Sequence, residues 1–281
     1  MVVRRERRKK VCARVSLDTL RGGRSSAALA VTMKHCAVGT VVAMLSAVCF
    51  ATASEPLATG EYGTDDGMGT LVISSGSSGK QAFRLTAQGV YGHGCGFSGT
   101  IENGIGRVDL GTPDEPLICA VSFEGAGNAL SVGLSVDETK WEQCRPRMCG
   151  ARAGFEGSYF LLPAPCTASA RGETRAHFLH AFRAGDYQQA AEVFERLQTQ
   201  CARFLDWFER DQVHNNLAMA LHRLNLDSEC LRELSKTEAA SAGNELKLRE
   251  HFVGAPFDFE RYLPVARTTW KVQRACGGSN S

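Results

Sequence analysis

Short runs of apolar residues, often alternating with polar ones, fill the chain over residues 59–159. One apolar run, 71–73, precedes a Ser/Gly turn at 74–79, and Phe83 and Leu85 then alternate with polar neighbours. A period of two between glycine-rich turns is typical of half-buried strands. The pattern predicts about eight short strands, and their regular spacing favours an antiparallel meander that closes into a small barrel or sandwich.

After Cys166 the apolar positions recur about every three and a half residues. Phe178 and Phe182 lie on one such stripe, Phe194 lies on the next, and Gly185 stands between them. This period is typical of amphipathic helices, which bury one stripe and expose the opposite face. The pattern predicts two helices joined by a tight turn.

The change of period divides the chain and sets its fold class. We predict an α+β protein in which an antiparallel all-β barrel or sandwich of about eight strands precedes an all-α domain. Residues 1–53 are assigned to a leader and signal peptide, 54–166 to the β domain and 167–281 to the helical domain.

The first pair of predicted helices has a distinctive arrangement of small and aromatic residues. An Ala-Phe pair at 181–182 precedes a Gly-Asp-Tyr turn at 185–187, and Ala190 and Phe194 follow the turn. This arrangement resembles the tetratricopeptide repeat.

A weaker copy of the motif lies at 216–234, so the resemblance covers roughly residues 172–238. The two turns are 40 residues apart, whereas the family's usual repeat is about 34 residues long. The resemblance implies a stack of helical hairpins that binds peptides or proteins on its concave face, and it implies no catalysis. Because two repeats are too few to bury their own faces, we expect a third helix near 262–276 and disulfides to complete the stack.

An export signal precedes the β domain. A short polar segment at 33–35 is followed by an apolar run at 37–50 and a small-x-small cleavage site at 51–53. The run has 14 residues, whereas a membrane-spanning helix needs about 20. We therefore predict a signal peptide at about 33–53, no membrane span, and a periplasmic or secreted protein. Residues 1–32 are either an extended basic leader or lie upstream of the start codon in use.

Eight cysteines follow the predicted cleavage site. An even set behind an export signal predicts four disulfides, because paired thiols persist in oxidising compartments. In stacked antiparallel hairpins the start of one helix lies near the end of the next, which pairs the cysteines of the helical domain and leaves the others to pair within the barrel. The predicted pairs are Cys95–Cys119, Cys144–Cys149, Cys166–Cys201 and Cys230–Cys276.

The charge balance changes once the leader is removed. Residues 1–53 hold 10 of the 32 basic and 2 of the 30 acidic residues, so the rest of the chain has 22 and 28. The β domain has a net charge of −6 and the helical domain is neutral. A negative charge repels nucleic acid and attracts cations, and it also keeps a protein in solution. We therefore predict no nucleic acid and a protein partner, which is cationic if the charge serves binding and not solubility alone.

No residue pattern in the sequence specifies a reaction, a metal or a cofactor. The pair His93 and Cys95 has no free thiol if all eight cysteines are bonded. The glycines at 89–96 precede a strand and lack the Lys and Ser/Thr of a phosphate loop. His177 and His180 are spaced to share a helix face and could hold zinc with His214 or His222, but no local pattern resembles His-Glu-x-x-His, so an ordinary helix surface is favoured. We predict that the chain is not an enzyme and takes no metal or cofactor.

The aromatic cluster Phe204, Trp207 and Phe208 is the candidate binding site. These residues lie in the insertion that breaks the repeat spacing, where a loop can present them to a partner. Aromatic residues also dominate the hot spots of interfaces. The alternative is that they pack across the missing third repeat or against the barrel.

These features favour an exported, disulfide-stabilised protein-binding protein of the bacterial envelope. An inhibitor or immunity protein against a cationic hydrolase or toxin is one form of such a protein. The acidic barrel is similar to periplasmic lysozyme inhibitors in architecture alone. One alternative is a periplasmic scaffold or assembly factor that binds client peptides through the helical repeats, and another is an enzyme of unknown reaction.

Overall fold

The strands predicted for the first part of the chain form a closed barrel. The computed structural model describes residues 56–76 and 80–277, and the predicted signal peptide at about 33–53 lies outside the described residues. Within them, eight strands pair antiparallel with their sequence neighbours and the last strand returns to the first, which confirms the predicted fold class. The strands are β1 (Gly60–Gly63), β2 (Gly69–Ser75), β3 (Gln81–Gln88), β4 (Gly94–Glu102), β5 (Ile105–Asp109), β6 (Ile118–Ala126), β7 (Ala129–Leu134) and β8 (Gly157–Leu161).

The barrel closes through a short pairing between β8 and β1. Tyr62 pairs with Leu161, and the backbone N–H of Leu162 donates to the carbonyl of Glu61 at 2.8 Å. Closure gives the first and last strands a pairing partner on both sides, so neither is left as an exposed sheet edge.

Side chains fill the interior of the barrel, because every second residue of each strand points inward. The ring of Phe83 lies 5.0 Å from that of Phe123 and 6.1 Å from that of Phe97, centroid to centroid. Gly106 is required at this contact, since a Cβ there would lie 2.7 Å from the rings of both Phe83 and Phe123. The interior is therefore a packed hydrophobic core.

The connection from β7 to β8 contains helix α1 (Glu138–Met148), and two disulfides hold it against the barrel. Cys144 of α1 is bonded to Cys119 in β6, and Cys149, just after α1, is bonded to Cys95 in β4. The predicted pairs Cys95–Cys119 and Cys144–Cys149 are therefore wrong.

The barrel geometry explains this correction. Strand β5 lies between β4 and β6, and neighbouring strands are about 4.8 Å apart, so Cys95 and Cys119 are at least about 10 Å apart, beyond the ~7 Å limit for bonded cysteines. Cys144 lies in α1 and Cys149 lies just after its end, and each of the two meets a different strand. Each cysteine of the β7–β8 connection is therefore bonded to a cysteine in a strand, and the two cysteines of the connection are not bonded to each other.

Seven helices follow β8 in the described part of the chain. In that part, no helix combines the length and the apolar character that crossing a membrane requires. The helices are α2 (Ala168–Ala184), α3 (Tyr187–Cys201), α4 (Trp207–Arg223), α5 (Asp227–Leu234), α6 (Glu238–Ala242), α7 (Glu245–His251) and α8 (Pro256–Ala275).

The first four of these helices pack as two hairpins, α2 with α3 and α4 with α5. Gly185 has φ 80° and ends α2, and the Asp186 carboxylate then accepts the N–H of Gln189 at the start of α3. Asn225 takes the equivalent left-handed conformation, φ 62°, between α4 and α5. A residue in the left-handed backbone conformation at each turn lets the chain reverse direction within a few residues, so that the two helices of each hairpin pack side by side.

Two disulfides cross-link the helices, and both confirm the predicted pairs. Cys166, ahead of α2, is bonded to Cys201 at the end of α3, and Cys230 of α5 is bonded to Cys276 after α8. The helix expected near 262–276 is α8, which packs against α4, α5, α6 and α7.

The described residues of the barrel and the helices form one compact unit. The Glu61 carboxylate accepts the backbone N–H of Ala168, at the start of α2, with oxygens at 3.0 and 3.2 Å. A Cβ on Gly67 would lie 2.3 Å from the backbone nitrogen of Asp206, so the β1–β2 turn packs directly on the segment before α4. The domain boundaries at 53 and 166 stay predictions.

A peptide map of the oxidised protein tests the corrected pairing. Tryptic sites separate all four barrel cysteines. We expect the unreduced digest to contain one peptide pair that links Cys95 to Cys149 and another that links Cys119 to Cys144, both of which disappear on reduction. Mass spectrometry that finds Cys95 linked to Cys119 would contradict the barrel register.

Candidate binding site

The turn from β3 to β4 has a strained backbone where helix α8 meets the barrel. Tyr91 has φ 63°, in the left-handed region that large side chains rarely adopt. Its N–H donates to Asp258 Oδ2 at 2.8 Å. Gly92 beside it lies against the ring of Phe257, and a Cβ there would be 2.5 Å from that ring. The start of α8 therefore holds the turn in its strained form, and the close approach requires glycine.

The sequence of α8 explains why these contacts form at its start. Pro256 lies in the first turn, where a missing N–H costs no helical hydrogen bond. Asp258 also lies in the first turn, where the helix dipole favours a carboxylate. One turn later, Arg261 donates from Nη1 to Gln88 Oε1 at 3.0 Å. The guanidinium of Arg261 stands 4.5 Å from the ring centroid of Phe208. Two side chains of one helix thus bind the β3–β4 region.

A pocket of about 280 Å³ lies between this turn and the helices. Residues 88–91 line it on the barrel side, and Trp207, residues 251–253, Asp258 and Arg261 line it on the helical side. Pockets between packed units that combine aromatic walls with a few polar groups are the usual form of a binding site. We call this cavity the junction pocket.

The aromatic wall of the junction pocket is fixed by packing behind it. The ring centroid of Trp207 lies 5.8 Å from that of Phe252 and 5.1 Å from that of Tyr262. Tyr91 forms the opposite wall and has the guanidinium of Arg152 4.3 Å from its ring centroid. The rings that face the pocket are thus held by neighbours on their other sides.

Exposed apolar side chains surround the mouth of the pocket. Val90 is 56% exposed, Val253 is 78% exposed and Phe257 is 59% exposed. Val90 and Val253 also line the pocket, and Phe257 rests on Gly92, so the three side chains belong to one surface. We call these three residues the junction patch. Single exposed apolar residues are ordinary, but a grouped set marks an interaction surface.

The three aromatic residues predicted as a binding site do not form one exposed cluster. Phe204 is buried in the core of the helices. Trp207 and Phe208 are half-buried and pack against Tyr262. Trp207 lines the junction pocket, whereas Arg261 covers the ring of Phe208. Trp207 is therefore the one of the three at the candidate site, and a binding role for the set stays a prediction.

Sequence reasoning did not select Tyr91, Phe257 or Asp258. Weak signals exist, because glycines flank Tyr91 and Pro256 marks a helix start. The sequence does not reveal that these segments meet, since Tyr91 and Asp258 are 167 positions apart.

The histidines weighed as metal ligands lie away from the junction pocket. His177 and His180 are exposed on α2. His222 and Asp227 lie within 4.8 Å of the sulfur of Cys276, but that sulfur belongs to a disulfide. Only His222 and Asp227 remain as ligands in this group, and zinc sites use at least three protein ligands.

A buried polar network supports the helical wall of the pocket. Asp211 of α4 is 5% exposed. Its carboxylate accepts the hydroxyl of Tyr262 and, at 2.9 Å, the N–H of Glu238. The Tyr262 oxygen in turn accepts the N–H of Ala239 at 2.9 Å. Burial raises the pKa of Asp211 and outweighs these hydrogen bonds, which act in the opposite direction. The network ties α4, α6 and α8 together behind Trp207.

A second network joins α4 to α5. His214 Nδ1 lies 2.9 Å from Glu233 Oε2, and Lys236 donates to Glu233 Oε1 at 2.6 Å. Burial opposes ionisation of Glu233, but the hydrogen bonds and charges of His214 and Lys236 prevail and lower its pKa to about 2.

Comparison with known proteins adds no identification. No protein-family model matches the chain, and no curated protein or solved structure matches it. The resemblance to the tetratricopeptide repeat therefore stays a prediction, and function has to be argued from the site itself.

Replacing Asp258 by Ala should weaken the contact between the barrel and α8. The change leaves the Tyr91 N–H without its acceptor, and we expect a loss of roughly 1–2 kcal/mol in the free energy of unfolding, measured by urea titration. Glu260→Ala, at an exposed position on the same helix, is the matched control and should cost less than about 0.5 kcal/mol. Equal effects of the two changes would contradict the proposed contact.

Asp211→Asn should stabilise the protein increasingly as the pH rises from 4 to 7. The native state binds the Asp211 proton more tightly than the unfolded chain, so wild-type stability falls as the pH rises from about 4 through the raised pKa. Asparagine keeps an acceptor and never ionises. The measurement is the difference in unfolding free energy between variant and wild type at each pH.

Glu233→Gln should show the opposite trend. Because the pKa of Glu233 is lowered to about 2, its stabilisation is complete above the ordinary carboxyl range and is lost as the pH falls toward 2. The variant should be less stable than wild type at pH 7 and approach it in acid. If both differences were independent of pH, the assigned burial and pairing would be wrong.

Proposed function

We propose that this chain is an exported, disulfide-stabilised protein-binding protein that holds its partner at the junction patch. The observation that supports the proposal is the convergence of Val90, from the barrel, with Val253 and Phe257, from the helical region, around one aromatic pocket. Hot spots of interfaces are aromatic or apolar anchors at a concave site with a surrounding rim, and this surface offers both parts.

The site is organised before a partner arrives. Asp258 holds the Tyr91 backbone, Gly92 lies against Phe257, and Arg261 reaches Gln88. A surface that is already ordered loses little conformational freedom on binding, so more of the contact energy remains as affinity. The four disulfides of the described residues limit the unfolding of the elements that present the site.

Charge favours a cationic partner. The β domain has a net charge of −6, which attracts a basic protein over several ångströms and raises its association rate. An inhibitor or immunity protein against a cationic hydrolase or toxin of the bacterial envelope fits this combination. Association should slow as salt concentration rises, because salt screens exposed charges.

A groove between α2, α4 and α8 favours a second candidate function, a scaffold that binds client peptides. This groove measures about 320 Å³ and is lined by Leu179, Gln212, Asn216 and Pro264, among others. Leu179 is 41% exposed. Amide side chains beside an apolar residue can hydrogen-bond an extended peptide and pack against its side chain. An enzyme of unknown reaction remains a third proposal, without an observation in its favour.

Matched substitutions separate the two binding proposals. The oxidised, tagged protein, residues 54–281, captures partners from a lysate of producing and competing bacteria, with mass spectrometry as the readout. We expect Phe257→Glu and Val253→Glu to weaken capture of the stoichiometric partner at least about tenfold. Leu179→Glu, which makes the same kind of change in the other groove, should leave capture unchanged. Loss of capture with Leu179→Glu alone would favour the scaffold.

A further inference from the structure

The junction pocket has the size and walls to receive one aromatic side chain. Its volume is about 280 Å³, and the rings of Tyr91, Trp207 and Phe252 line it. Trp207 is held from behind by Tyr262, at 5.1 Å between ring centroids, so the wall is fixed. Aromatic rings gain from edge-to-face or offset contact with other rings beyond the area that they bury.

Polar groups reach the same pocket and need partners when water leaves it. Asp258 uses Oδ2 to accept the Tyr91 N–H, and Oδ1 receives no hydrogen bond from the described residues. Arg261 donates from Nη1 to Gln88, while its Nη2 stands 3.9 Å from an oxygen of Asp206, a distance longer than a hydrogen bond. A purely aliphatic or phenyl anchor would leave these groups desolvated and unpaired.

The pocket holds charges of both signs, so neither an anionic nor a cationic anchor is favoured over a neutral one. An anionic side chain would face the Asp258 carboxylate, and a cationic one would face the Arg261 guanidinium. Each charged anchor would meet repulsion beside attraction, whereas a neutral anchor avoids the repulsion.

We propose, on the basis of the function proposed above, that the partner anchors itself by inserting a tyrosine side chain into the junction pocket. The ring packs among Tyr91, Trp207 and Phe252, and the hydroxyl at its far end donates to Asp258 and accepts from Arg261. Val90, Val253 and Phe257 then close around the anchor and exclude water, as the rim of a hot spot does.

Fluorine NMR of the protein labelled with 5-fluorotryptophan tests this proposal directly. The chain has three tryptophans. Trp207 lines the pocket, while Trp141, exposed on α1, and Trp270, buried in the helical core, serve as internal controls. The probes are N-acetyl-tyrosine amide, N-acetyl-phenylalanine amide, N-acetyl-lysine amide and methyl glucoside.

We expect the tyrosine probe to shift the Trp207 resonance in a saturable manner and to leave the other two in place. The phenylalanine probe lacks the polar tip and should bind about fivefold more weakly, as the loss of one hydrogen bond predicts. The lysine probe and the glucoside should produce no saturable shift. Absence of a Trp207 shift with the tyrosine probe, or tighter binding of the lysine probe or the glucoside, would overturn the anchor proposal.

Phe257→Glu distinguishes failure of the anchor from failure of the proposed function. Phe257 belongs to the junction patch but does not line the pocket, so capture by Phe257→Glu tests the proposed function, while the titration of wild-type Trp207 tests the anchor. If Phe257→Glu loses the partner but the Trp207 resonance of wild type does not respond to the tyrosine probe, the anchor proposal is wrong and the proposed binding function stands. Capture unaffected by Phe257→Glu would overturn both.

Discussion

A helical stack of two hairpins has too little surface to bury its own faces, and helix α8 supplies the missing contact. Its Tyr262 and Trp270 bond to α4 and α6 through Asp211 and the backbone of Ala239. A disulfide after its last turn joins it to α5. Its first turns reach the barrel through Asp258 and Arg261. The helical core, the attachment to the barrel and the candidate site all depend on this one helix.

Burying the Asp211 carboxyl is costly, and the raised pKa of the group is evidence of that cost. The hydrogen bonds from Tyr262 and Glu238 offset part of it and fix the position of Tyr262. Tyr262 in turn supports Trp207 at the wall of the junction pocket. A polar group in the core thus sets the geometry of a surface pocket two contacts away, which links the stability of the helices to the shape of the site.

The barrel contributes one wall of that site and a charged exterior. Its interior is filled by packed side chains such as Phe83 and Phe123, as expected for eight strands, so the proposed binding role uses its outer surface and turns. The strained turn at Tyr91 is the part of the barrel that faces the helices. Backbone strain of this kind is retained where neighbouring structure holds it, and here the start of α8 does so.

The sequence by itself determined the two types of secondary structure, because the periods of two and three and a half are local properties of neighbouring residues. It also determined that the cysteines pair, and it identified the two disulfides of the helices, where packed helices bring their ends together. It failed for Cys95 and Cys119, because the correct partners depend on which strands the α1 connection crosses. The candidate site was likewise decided by the tertiary structure alone. Tyr91 and Asp258 lie 167 positions apart, and no local pattern encodes a contact that forms only when a barrel turn and a helix start are packed together.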